Sequence, residues 1–132
     1  MKKEFSKAWN SSSKARKQRK YRYNAPLHLK RKFLSSNLSK ELRKKYSRRN
    51  IELRKGDAVR VMRGELKAKR GKITGFDSAK NRVYVEGIQK SKKDGTKVNI
   101  SFDPSKLQIV ELNIEDKKRI KKIERKIKEQ KK

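Results

Sequence analysis

The chain has 132 residues, of which 43 are Lys or Arg and 14 are Asp or Glu, giving a formal net charge of +29, and only 31% are hydrophobic. That apolar share cannot bury the whole length against its ordering entropy, so one small domain with basic extensions is expected. With no cysteine, disulfides, thiolate catalysis and thiolate metal sites are excluded.

The single histidine, His28, has no co-ligands around it and reads as a helix-surface residue facing phosphate. No cofactor and no small-molecule substrate are expected. No apolar run approaches the roughly 20 residues that span a bilayer. Met1-Lys2-Lys3 followed by Glu4 is not a signal-peptide pattern. Self-repulsion at this charge calls for a polyanionic partner, and nucleic acid fits better than a membrane surface.

Charge and pattern divide the chain into four segments. The first 50 residues carry 18 basic and 2 acidic residues, whereas residues 51–112 carry 15 and 8. Residues 1–24 read as a basic RNA-binding arm. It contains the polar stretch Asn10-Ser11-Ser12-Ser13 and then Arg16, Lys17, Arg19, Lys20 and Arg22. Trp9, Tyr21 and Tyr23 are interleaved with that charge and have no apolar face to join. They are placed to stack on bases while the cations take phosphates, so the arm is expected to order on RNA.

Residues 25–50 read as short helices. Pro26 suits a first helical position. Leu27, Arg31 and Leu34 share a face, and His28, Lys30 and Arg31 add charge. Ser35-Ser36-Asn37 interrupts the pattern and offers N-cap side chains. Leu38, Leu42 and Tyr46 then recur at helical spacing, a stripe for docking on the rest of the fold.

Residues 51–112 read as five short strands. Val59 and Val61 mark the first, Ile73 the second, and Val83 and Val85 the third. Asp94-Gly95 signals a hairpin into Val98, Ile100 and Phe102. Leu107 and Ile109 complete the set after the turn Asp103-Pro104-Ser105. The expected fold is mainly β: a small, closed or partly open barrel, because closure removes edges. Residues 113–132 read as a basic helix capped by Asn113, with Ile120, Ile123 and Ile127 as a narrow apolar stripe.

The chemistry concentrates between the first two barrel strands. Arg63, Lys67, Lys69, Arg70 and Lys72 lie on a loop closed by Gly64 and Gly71. Such a loop presents several donors to phosphate at fixed spacing. Glu52, Asp57 and Glu65 read as turn and surface charge balance. No nucleophile–base pair, phosphate-binding Gly-Lys-Ser/Thr loop or metal set is visible, which argues against an enzyme.

Lys55-Gly56-Asp57-Ala58-Val59-Arg60-Val61-Met62-Arg63-Gly64, followed by Lys67-Ala68-Lys69-Arg70-Gly71-Lys72-Ile73, resembles the KOW motif. Together with Tyr23-Asn24-Ala25-Pro26-Leu27-His28, Leu38-Ser39-Lys40-Glu41-Leu42-Arg43 and Asp103-Pro104-Ser105-Lys106, the chain resembles a family of large-subunit ribosomal proteins. This is universal family twenty-four, in its archaeal and eukaryotic form. The resemblance implies an SH3-like barrel that binds large-subunit rRNA directly, early in assembly on the 5′ domain, beside the peptide-tunnel exit. It also implies a cytoplasmic place in the ribosome among other ribosomal proteins, and not a homo-oligomer.

Under that resemblance Gly56, Gly64 and Gly71 are motif glycines, and the basic side chains of the loop face rRNA. One departure is visible: the family usually has Gly where this chain has Ala68. The departure bears on the left-handed backbone that the family implies at this position and on the exact path of the loop. The short C-terminal tail resembles the archaeal form. The competing readings are a KOW-type transcription elongation module and a general nucleic-acid- or chromatin-packing protein. The first expects further domains and a less basic arm.

Overall fold

The computed structural model describes Phe5 and residues 12–130, without the side chains at 122 and 125–130. Trp9, Lys131 and Lys132 lie outside the described residues, as does the side chain of Ile127. The secondary structure begins with helix α1 (Ala15–Asn24) and helix α2 (Leu27–Phe33). Strand β1 (Ser35–Leu38), helix α3 (Lys40–Tyr46) and strand β2 (Asn50–Glu52) follow. Then come β3 (Ala58–Val61), β4 (Arg70–Asp77), β5 (Arg82–Ser91) and β6 (Lys97–Phe102). A 3₁₀ turn (Pro104–Lys106) leads into β7 (Leu107–Glu111), and helix α4 (Lys117–Gln130) follows.

The strands form one seven-stranded open sheet in the order β2-β1-β7-β3-β4-β5-β6. The mainly β character is as expected, but the sheet is not closed and has seven strands rather than the five of the expected closed or partly open barrel. The five expected strands are all present, but β1 and β2 extend the sheet past β7, and the two edge strands do not pair with each other. β1 pairs parallel with β7 and antiparallel with β2. Ser-Ser-Asn reads as a cap because these residues favour turns. Here the Ser36 hydroxyl instead donates to the Pro104 carbonyl at 2.5 Å, and Leu38, fully buried, enters the core. The N-cap of α3 is Ser39, whose hydroxyl accepts from the Leu42 N–H.

Alternation puts Val59, Val61, Val83, Val85, Leu107 and Ile109 on the inner face, where Leu34, Leu38, Ile73 and Phe102 close over them. Burial of such side chains is worth about 1.5–3 kcal/mol each. Of the apolar residues expected on α2, Leu34 is buried but Leu27 stays 73% exposed.

Two further differences concern the termini. The expected arm is a regular helix from Ala15 onward. Its Lys, Arg and Gln are good helix formers, and the Gln18 side chain donates to the Ser12 carbonyl at 2.7 Å. The C-terminal helix starts at Lys117 rather than just after Asn113. The Asp116 carboxylate accepts from the Lys118 N–H at 2.9 Å, while Asn113 closes a local turn by accepting from Glu115 N–H at 3.1 Å.

Candidate nucleic-acid interface

The segment between β3 and β4 is a pinned loop. The Val61 N–H donates to the Lys69 carbonyl and the Ala68 N–H returns to the Val61 carbonyl, both at 2.9 Å. Within it, Lys67 N–H bonds to the Gly64 carbonyl at 3.1 Å. The half-buried Leu66 packs on the core cluster and anchors the loop from below. Gly64 takes φ +88° and Ala68 takes φ +74°. The left-handed backbone thus persists at Ala68, because the hairpin hydrogen bonds fix the path. An L-residue there costs roughly 1–2 kcal/mol.

On this frame Arg63, Lys67, Lys69, Arg70 and Lys72 are all exposed. Arg70 and Lys72 belong to β4 rather than to the loop. Gly71 lies between them and does not shape the turn. A Cβ there would stand 2.6 Å from the Glu86 carbonyl and 2.8 Å from Val85 Cγ1, so the position demands glycine for close strand approach.

Register adds a residue that sequence reasoning missed. Arg60 of β3 stands opposite Arg70, and Ala58 opposite Lys72. Like charges directly opposed on a sheet destabilise it, and Arg60 Nε is buried without a hydrogen-bond partner. β7 places Gln108 beside Arg60 and Asn37 beyond it, so an acid-free polar row crosses four strands. Alternation with the buried Val59 and Val61 puts Arg60 on the opposite face. Its neighbour could be known only from the register.

The same turn that bears Gly56 is a structural lock. Asp57 is fully buried, which corrects its reading as surface charge. Its carboxylate receives the Arg119 guanidinium in a two-pronged pair at 2.6 and 2.8 Å. It also accepts from the backbone N–H groups of Arg54 and Asn113, each at 2.8 Å. Arg119 further donates to the carbonyls of Asn113 and Glu52. Gly56, at φ +86°, lies so near Asn113 that a Cβ would sit 2.7 Å from Nδ2. The motif's first turn and the start of α4 are therefore one unit.

The remaining candidates are spread around this centre. On α1, Arg16, Lys17, Arg19, Lys20, Arg22 and Tyr23 are exposed. Tyr21 instead packs between Phe5 and Phe33, with ring centroids 4.9 and 6.0 Å away. Asp103 caps the turn before β7 by accepting from the Ser105 hydroxyl and N–H at 2.7 and 3.0 Å. Burial opposes its ionisation, but the Ser105 hydroxyl and N–H and the charges of Arg82 and Arg22 outweigh that and hold its carboxyl below the ordinary value. The Lys106 carbonyl, in the following turn, accepts the Met62 N–H at the loop's base.

α2 faces elsewhere. Its His28 is exposed and Lys30 half-buried, and Arg31 overlooks a cleft of about 690 Å³ with Arg54, Lys55, Phe76 and Tyr84. The structure therefore brings the loop and the start of β4 onto one surface, while α1 meets α2 through Tyr21 and Phe33 and Arg31 of α2 shares its cleft with Phe76 of β4. Among the described residues no helix is long and apolar enough to cross a membrane, and no group of His, Cys, Asp or Glu could hold a metal.

What this surface offers is fixed charge on a rigid frame, the character of a binding scaffold. Residues 12–126 match the family described as the ribosomal proteins L26 of eukaryotes and their archaeal L24 counterparts. The chain is 44% identical over 115 residues to large ribosomal subunit protein uL24 of Korarchaeum cryptofilum, covering 87% of this chain and 88% of that protein. It is 43% identical over 114 residues to uL24 of Methanocorpusculum labreanum, covering 86% and 94%. The chain belongs to this ribosomal protein family. It is accordingly a structural protein and not an enzyme, cytoplasmic by its place in the ribosome.

Proposed function

We propose that the chain is a structural constituent of the large ribosomal subunit that binds large-subunit rRNA directly. It joins early, on the 5′ domain, and lies near the peptide-tunnel exit among other ribosomal proteins, as a single copy. The motif loop with Arg63, Lys67, Lys69, Arg70 and Lys72 is the main contact, supported by the cations of α1 and of α2. Residues 1–24 serve as a contact limb, 25–50 brace the sheet, 51–112 carry the motif and 113–132 seal it. The observation that carries this reading is the pinned loop leading into the opposed Arg60 and Arg70, a like-charged arrangement that an external polyanion would relieve.

Binding to an rRNA 5′-domain fragment, titrated with salt, tests it. Neutralising six or more phosphates gives a slope of log K on log salt of about −4 or steeper. A slope near zero contradicts the proposal. Replacing Lys67, Lys69 and Arg70 together by Ala should remove about two units of that slope. Unchanged affinity would move the main contact to α1. Crosslinking and sequencing of RNA bound in cells separates ribosomal RNA from the nascent transcripts expected of an elongation factor.

A further inference from the structure

A second cationic projection lies at the far end of the sheet. Along the β5–β6 hairpin the last buried residue of β5 is Ile88, and every residue from Gln89 to Asn99 is exposed. The ladder slips between Tyr84 and Gln89, and Gly87 sits at φ +74°. A bulge of this kind bends and twists a ribbon, so the hairpin is re-aimed where it leaves the body.

The projection is stiff. Lys92 N–H donates to the Thr96 carbonyl at 2.8 Å, and Gly95 N–H to the Lys92 carbonyl at 3.1 Å. The Gln89 amide donates to Asn99 Oδ1 at 2.9 Å across the strands. Asp94 is the one acid of the segment, and its carboxylate is occupied by the Thr96 hydroxyl and N–H at 2.7 and 3.0 Å.

Charge surrounds this ribbon. Lys90 opposes Val98 on one face and Lys97 opposes Ser91 on the other, with Lys92 and Lys93 at the turn. A ribbon that lies flat on a charged surface needs cations on one face only. Cations on both faces and at the tip suit a crevice walled by phosphate on two sides. A regular RNA duplex does not offer one wide enough, because its major groove is deep and narrow. A junction where helices pack together does.

We infer that the β5–β6 hairpin is a second RNA-binding element, a finger that enters a crevice between two phosphate backbones of folded RNA. The inference rests on the proposed rRNA binding and adds a contact surface separate from the motif loop. The full chain is titrated with salt on the folded 5′-domain fragment and on a simple RNA duplex of equal length. The variants are Lys90→Gln, Lys97→Gln, and Lys90, Lys92, Lys93 and Lys97 all changed to Gln. Each single change should flatten the slope on the folded fragment by about 0.7–0.9, and the fourfold change by about 3. The effect on the duplex should be smaller.

An unchanged slope for the fourfold variant overturns the inference, whatever its incorporation into subunits. A response confined to one face overturns the crevice. The Lys67, Lys69 and Arg70 triple is run alongside. If it weakens binding while the hairpin variants do not, the finger is lost but RNA binding stands; if neither responds, the finger and the motif-loop contact both fall, and a parent slope near zero is what would overturn RNA binding itself. The single variants carry the test should the fourfold one fold poorly, which circular dichroism reports.

Discussion

Arg119 and Arg70 are the same side chain put to opposite uses. Arg119 is 6% exposed, and its terminal nitrogens are spent on Asp57 and two backbone carbonyls. Arg70 is exposed and opposes another arginine across the ladder. Where the chain provides the acid, an arginine fixes the fold. Where the chain withholds the acid, the sheet sets two arginines opposite each other, and on the proposed reading RNA supplies the counter-charge. Perturbing the first kind should register in stability, and perturbing the second in binding.

The largest effect is expected at the internal pair. Asp57→Ala or Arg119→Ala leaves the other charge buried and uncompensated, so either should lower the unfolding free energy by about 3–5 kcal/mol in chemical denaturation. A loss below about 1 kcal/mol would mean that the pair does not hold the start of α4. Gly71→Ala comes next. A methyl group driven against the Glu86 carbonyl should cost about 1–3 kcal/mol, read by the same denaturation curves.

Ala68→Gly should act in the opposite direction, gaining roughly 0.5–1 kcal/mol, since relief of the left-handed strain exceeds the added chain entropy. The smallest effect concerns Asp94. Hydrogen bonds from Thr96 hold its carboxyl below the ordinary value of 3.8. The turn's stabilisation is therefore fully present above that value and fades as pH falls through the lower folded-state value. Hydrogen exchange at the Thr96 N–H should quicken only under those acid conditions, relative to the intrinsic rate. The contrast is sharpened by the loop triple Lys67, Lys69 and Arg70→Ala, whose unfolding free energy should stay within about 0.5 kcal/mol of the parent.

How far the sequence led depends on the range of the interaction. Period-two runs such as Val59/Val61 and Val98/Ile100/Phe102 announced five strands, because alternation is a local signal. Ser35–Leu38 stayed hidden. Its composition favours turns, and its strand identity comes from distant partners, with Ser36 bonded to Pro104 68 positions on. Asp57 and Arg119 are 62 positions apart, so neither could be recognised as buried before the fold joined them. The motif loop was legible from clustered charge and Gly64. Arg60 needed the register, and the hairpin lysines needed the bulge that carries them clear of the body. Residue type left the backbone at Ala68 open, and the surrounding hydrogen bonds decide it.

The position of β7 has a consequence for biosynthesis. Among the described residues it is the sole ladder connection between β1–β2 on one side and β3–β6 on the other, although it follows all of them in the chain. Until Leu107–Glu111 emerge, the two portions share no backbone pairing, and the Asp57 carboxylate waits longer still for Arg119. Completion of this sheet thus waits for β7, with the cationic stretches that precede it already outside and seeking counter-charge.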